Sequence, residues 1–190
     1  MKKSNKNESK YKITIGKFFK HLHTVNKHRF KVFVLCCKAG QPWRGLLHDL
    51  SKYSPTEFFE GVKYYQGTYS PIKNRKMEVG YSEAWLHHFG RNKHHYEYWR
   101  DGDKGIKMPF KYACELICDY LAAGEIYMGD NFSYQAEYVW WIHKRENLFQ
   151  IHPHTRQFIE DVLFQLTIVN NKYSVLNKKN LKEIYNKIRR

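Results

Sequence analysis

No stretch of the 190-residue sequence approaches the roughly 18 to 20 consecutive apolar residues that span a bilayer, which excludes a membrane-spanning helix. The N-terminus, MKKSNKNESKYK, starts charged but has no apolar stretch behind it. That predicts no secretory signal and a cytoplasmic protein. Cysteine is scarce: Cys36 and Cys37 are adjacent, and Cys114 and Cys118 sit one helical turn apart. Neither pair has zinc-ribbon spacing, and a disulfide framework does not suit a cytoplasmic chain. All four read as free thiols on helix faces. The sequence has no internal repeat, no low-complexity linker and no sustained alternation of the strand type. Zinc-finger spacing and RNP-like aromatic motifs are also missing.

Hydrophobic residues make up 42% of the chain, enough for one domain with a real core. The formal net charge is +15. Residues 1–12 carry five lysines and one glutamate, and residues 178–190 carry six basic residues and one glutamate. More than half of the excess therefore sits at the ends. The division is a basic flexible tail over 1–12, a helical domain over 13–176 and a basic C-terminal helix over 177–190. Such ends suit weak contact with polyanions, nucleic acid included. The remaining positive charge suits a phosphate-bearing small molecule or nucleotide.

Helical signals dominate. Residues 14–39 form a first helix with Phe18, Leu22, Val25, Val32 and Cys36 on one stripe, stopped by Gly40. A short helix over 43–52 carries LLHDLSK. Ser54-Pro55-Thr56-Glu57 is a capping box that starts a third helix, to Tyr65. Residues 66–80 read as a loop. Ser82 opens a helix carrying the histidine cluster, and 101–108 read as a turn. Further helices are expected from Pro109 to Met128 and over 133–147, 155–170 and 178–188. The predicted architecture is an all-α, single-domain bundle of six to eight helices.

The eleven histidines are unevenly placed. His48 directly precedes Asp49. On a helix these neighbours point about 100° apart, so both reach only a metal lying near the edge between those directions. Imidazole and carboxylate together suit Fe, Mn, Zn or Co. Lys52 lies one turn beyond His48, where an ammonium contacts a phosphate on such a metal. His87, His88, His94 and His95 fall within nine residues. Spacings of seven predict two columns on one helix, His88 with His95 and His87 with His94. A core helix does not bury four imidazoles without partners, since each has a polar nitrogen to satisfy.

The stretch His48-Asp49-Leu50-Ser51-Lys52 resembles the HD-x-x-K core of the HD-domain superfamily of metal-dependent phosphohydrolases. The resemblance implies an all-helical fold and one or two divalent metals. The ligands it implies are an upstream histidine, the HD pair, further histidines and a late aspartate. Here these are His28 (with His21 as rival), His48, Asp49, His88, His94, His95 and Asp119 (with Glu115 as rival). Asp119 points away from the apolar stripe of Phe110, Ala113, Cys114, Ile117, Cys118 and Leu121, toward solvent or a polar cavity. Residues 94–102, HHYEYWRDG, look like the HHE-x-W-D-G stretch of cyclic-dinucleotide phosphodiesterases, with one residue inserted before the glutamate. Residues 20–125 also resemble a bacterial and phage family of unknown function, through LLHDLSKYSPTEF, GYSEAWLHHFGRNKHHYEYW and the CDY segment.

The expected activity is hydrolysis of a phosphoester in a nucleotide, cyclic or signalling nucleotides included. Asp49 and Lys52 would be catalytic, and Lys52, Arg91 and Lys93 would bind the phosphate. The competing readings are a di-iron oxygenase of the same fold and a non-enzymatic basic nucleic-acid binder. The two-histidine phosphoesterases are excluded, because no histidine here has Thr or Ser two positions on.

Overall fold

The computed structural model describes residues 11–145, 150–169 and 171–188. The basic tail read over 1–12 lies almost wholly outside the described residues, as do the last two residues of the 177–190 segment. Among the described residues the chain forms ten α-helices: α1 (Ile15–Lys38), α2 (Pro42–Leu47), α3 (Pro55–Tyr64), α4 (Pro71–Val79), α5 (Glu83–Arg91), α6 (Phe110–Tyr127), α7 (Tyr134–Arg145), α8 (Pro153–Ile168), α9 (Lys172–Val175) and α10 (Lys178–Lys187). The all-α, single-domain expectation holds. α4 and the short α9 are the two segments beyond the eight that periodicity suggested.

Local chemistry sets most boundaries. Thr14 caps α1 by accepting from the Lys17 amide at 3.2 Å, and Gly40 ends it at φ +69°. Residues 71–79 were expected as loop, yet Pro71 is the first residue of α4 and Ser70 accepts from the Lys73 amide at 3.3 Å. A proline there starts a helix, because its missing N–H would be unpaired in any case. Ser82 caps α5 through the Trp85 amide. α5 then stops at Arg91, so His94 and His95 do not continue its face. The expected turn at 101–108 holds a two-residue antiparallel ladder, Arg100–Asp101 against Lys104–Gly105.

α6 is the centre of the molecule. From Ala113 to Ala122 it is buried all round, as a core helix should be. α1 packs on one side of it, and α8 and α10 on another. The stripe expected on α6 is buried apart from the half-buried Phe110, and Phe158, Val162 and Leu166 form a buried stripe on α8, while Val169 lies past the end of α8 and is 38% exposed. α1 departs from its predicted stripe. Its buried line runs His21, Val25, His28, Val32, Leu35 and Cys36, with Phe18 and Leu22 only half-buried. Two histidines therefore lie on a core-facing line, and α6 carries two buried carboxylates, Glu115 and Asp119. Buried groups of that kind need partners, and they find them in each other.

α2 lies tight against α1. A Cβ on Gly45 would sit 2.7 Å from Cys36 Cβ and 2.8 Å from the Phe33 backbone. Gly45→Ala should cost about 1–3 kcal/mol by overpacking, read as a lower urea midpoint. Gly90→Ala on α5, where a Cβ meets nothing within 4 Å, should instead be neutral or stabilise by up to about 1 kcal/mol.

Burial pushes the carboxyl of Glu137 on α7 up to about 7, against the pull of Lys144. Its folded value lies above the ordinary 4.5, so it costs nothing at low pH. The penalty grows as pH climbs from 4.5 to about 7. Glu137→Gln should therefore leave stability unchanged near pH 4 and raise it near pH 8 by on the order of 2 kcal/mol, measured by denaturant unfolding at both pH values.

Candidate metal centre

The His-Asp pair sits at a break, not on a helix. α2 ends at Leu47, His48 is extended (φ −54°, ψ 130°), and Asp49 is left-handed (φ 54°, ψ 27°) before a short 3-10 turn over Leu50–Tyr53. Asp49 is the one non-glycine with positive φ among the described residues. Aspartate tolerates this conformation better than most residues, but it still needs support. Arg29 on α1 supplies it: Nε donates to the His48 carbonyl at 2.8 Å and Nη2 to the Leu46 carbonyl at 3.0 Å. The helix end is thereby capped by a side chain seventeen to nineteen residues away.

The break lets both side chains turn inward, where they are 1% exposed. Around one oxygen of Asp49, Oδ2, lie His28 Nε2 at 3.6 Å and His48 Nε2 at 3.2 Å. Asp119 Oδ1 from α6 closes this group, 3.0 Å from His28 Nε2 and 3.6 Å from His48 Nε2. With metal–ligand bonds of about 2.1 Å, neighbouring donors lie about 3.0 Å apart in an octahedron and about 3.4 Å apart in a tetrahedron. The observed separations bracket those values.

Around the other oxygen, Oδ1, lie His88 Nε2 at 3.3 Å and His94 Nε2 at 3.5 Å. His95 completes this group, all of whose donor atoms lie within 4.8 Å of one another. Both groups can hold a metal ion, and Asp49 belongs to both. Asp49 Oδ1, both ring nitrogens of His94 and His95 Nε2 are buried with no hydrogen-bond partner among the described residues. Such orphans are rare in folded proteins unless an ion or water satisfies them, so the donor set fits a metal.

Outer contacts fix the rings. Glu115 Oε1 lies 3.1 Å from His48 Nδ1 and 3.2 Å from His94 Nδ1, and its Oε2 accepts from Arg44 Nε at 2.7 Å. Glu57 accepts from His88 Nδ1 at 2.7 Å and from His87 Nδ1 at 2.6 Å. An Nδ1 proton held by a carboxylate leaves the Nε2 lone pair facing inward. Burial, with neighbouring imidazoles, drives His94 and His95 down, so both are neutral donors. Burial opposes ionisation of Asp49 and Asp119, but the surrounding His48, Lys52, His88 and His28 hold both well below the usual carboxylate range. Against its own burial, Glu115 is pulled down to about 2 by His48 and His94. His48 is raised despite burial, chiefly by Asp49 and Asp119. Its extra proton occupies the position that a cation would take.

All seven residues considered as inner ligands thus converge, although His94 and His95 arrive from a turn and not as a column on α5. His88 and His95 still meet, with ring centroids 4.8 Å apart. Of the rivals, His21 lies two turns up α1 outside both groups, and Glu115 bonds to the far nitrogen of His48 and lies 3.2 Å from that of His94. Lys52 Nζ donates to Asp49 Oδ2 at 2.7 Å and borders a cavity of about 180 Å³ beside the cluster. Arg91 and Lys93 do not reach it. Because α5 ends there, the exposed Arg91 lies near its own helix at the His87 carbonyl, and Lys93 stacks over Tyr98. Glu57 was read as the second half of a capping box. Ser54 does accept from the Glu57 amide, but the Glu57 carboxylate is spent on His87 and His88. Arg29, Arg44 and Asn92, which ties Ser51 to the His88 carbonyl, carried no sequence signal.

Fold and cluster together define a class: an all-α domain built round a buried histidine–carboxylate site able to hold metal. The chain belongs to the family of unknown function DUF5662, whose model matches residues 17–165. No curated protein and no solved structure matches it.

Glu57→Ala should weaken metal retention about 10–100-fold by freeing the His88 ring, while the helical circular dichroism spectrum stays unchanged; chelator competition measures it.

Proposed function

We propose that the protein is a divalent-metal-dependent phosphohydrolase acting on a nucleotide. The observation that carries this reading is the Asp49 carboxylate, 1% exposed, with each oxygen facing its own set of imidazoles and Oδ1 without a hydrogen-bond partner among the described residues. His28, His48, Asp49 and Asp119 would hold one ion, and Asp49, His88, His94 and His95 a second. The donor chemistry suits Fe, Mn, Zn or Co. Such ions lower the pKa of a bound water and polarise a phosphoryl group.

The chain's own groups supply the rest. Lys52 borders the cavity and is held charged, against burial, by Asp49 and Asp119. It binds a phosphoryl oxygen and offsets the charge that develops there. Asp49 has both oxygens committed, so orienting a water proton falls to Asp119 Oδ2, 3.7 Å from His94 Nε2. Much of the rest of the cavity lining is apolar, with Val25, Ile72, Ala84, Trp85 and Ala123. It keeps bulk water away and strengthens each charge inside. Those apolar lining residues also favour a second reading, a di-iron oxygenase acting on an apolar substrate.

Metal analysis by mass spectrometry decides between them. One to two equivalents of metal per chain are expected, lost in His48→Ala, together with chelator-sensitive hydrolysis in a nucleotide screen. Iron with a visible absorption band and no hydrolysis would replace the hydrolase by the oxygenase. No metal in the wild-type protein would overturn both.

A further inference from the structure

A second depression adjoins the metal cavity and shares Ser70, Ile72 and Trp85 with it. This groove, of about 550 Å³, is also lined by Lys73, Lys76, Trp140 and Lys144. Its cations have aromatic faces for partners. Lys76 Nζ lies 4.3 Å from the Trp85 ring centroid, and Lys144 Nζ lies 4.6 Å from that of Trp140. Among the described residues, no carboxylate comes within 4 Å of Lys73, Lys76 or Lys144. Glu97 acts on Lys76 and Lys144 from further away, as do Asp119 and Glu137 on Lys144. Burial lowers the affinity of the Lys144 ammonium for its proton, the mark of a cation short of a counter-charge, while Lys76 is the more exposed of the two.

Trp85 joins the two sites. Its ring lies 5.0 Å from that of His95 and 6.1 Å from that of His88, and it also carries Lys76. A molecule with one end at the histidine cluster therefore meets, across Trp85, indole faces and two or three undercompensated cations. Indole faces suit a planar ring, since every nucleobase has a π-face to stack. Ammoniums suit phosphate oxygens. A bare polyanion would leave the indoles unused, and a neutral aromatic would leave the lysines unpaired.

We infer that the groove walled by Trp85 and Trp140 and carrying Lys76 and Lys144 is a subsite for the base and a further phosphate of a nucleotide. This deepens the hydrolase reading by naming a substrate with more than one phosphate, but binding in the groove is measurable without turnover.

The test is titration calorimetry of the full-length protein with ADP, AMP, adenosine and pyrophosphate, with metal content measured in parallel. The variants are Lys76→Gln, Lys144→Gln and a control pair, Lys179→Gln with Lys182→Gln, which removes two exposed charges on α10. ADP should bind at least about tenfold more tightly than adenosine or pyrophosphate, and each groove variant should lose about 10–100-fold in ADP affinity with metal content unchanged. The control pair should stay within about twofold, as expected for screened surface charges. Equal ADP affinity in Lys76→Gln and wild type, an equal loss in the control pair, or adenosine as tight as ADP would overturn the subsite. Lys76 lies on the exposed face of α4, so its variant carries the test if Lys144→Gln fails to fold. Loss of ADP affinity in a protein without hydrolysis would sink the hydrolase reading and leave the subsite standing. Hydrolysis with the groove indifferent to ADP would do the reverse.

Discussion

The structure depends on one buried carboxylate. Asp49 is held in left-handed backbone at the end of a two-turn helix, with both oxygens turned into the protein. Left alone, such a charge would cost several kcal/mol. It is tolerated because α1 brings His28, α5 brings His88, the following turn brings His94 and His95, and Lys52 donates from the same 3-10 turn. Helices that are far apart in sequence thus share a common electrostatic neighbour. The packing of α1 against α2 and α6 is what fixes its position.

A second ring of charges makes the first tolerable. Glu115 and Asp119 lie one turn apart on α6, yet they serve different nitrogens. Asp119 meets the inward Nε2 atoms, while Glu115 holds the outward Nδ1 side of His48 and pairs with Arg44. Glu57 does the same for His88 from α3. The rings are therefore oriented from behind by carboxylates, of which Glu57 also lines the cavity and Glu115 does not. This is a rigid arrangement: turning one ring breaks a contact on each side of it.

The fold class was legible because helix periodicity and caps are local signals, and α6 and α8 bury most of the apolar stripes they display. The donors were legible as residue types, since clustered histidines have no bland structural use. Their geometry was not. LLHDLSK contains no glycine or proline, so nothing local announces that the helix breaks at Asp49. The break rests on Arg29 reaching across from α1. The seven-residue spacing of His88 and His95 suggested one helical face; they do meet, but through a turn that follows Arg91. The choice between Asp119 and Glu115 was unreadable because both lie on the same side of α6, and only which ring nitrogen each faces separates them. Arg91 and Lys93 show the opposite error, in which nearness in sequence stood in for nearness in space.

That error bears on how an anion would be recognised. In the proposed centre, two divalent ions would bring four positive charges against the two inner carboxylates, Asp49 and Asp119. Lys52 adds one more at the cavity edge. The reacting phosphate would then need no further cation, which fits the outward placement of Arg91 and Lys93. Glu115, pointed at the rings from behind and outside the cavity lining, would moderate that excess without competing for the substrate. Discrimination among phosphate-bearing molecules must then come from whatever touches the rest of the substrate. Next to the cavity, the residues that combine positive charge with aromatic surface are Lys76 and Lys144, set against Trp85 and Trp140. They come from α4 and α7, outside the stretches that would carry the ligands, so the proposed chemistry and the proposed selectivity rest on different elements.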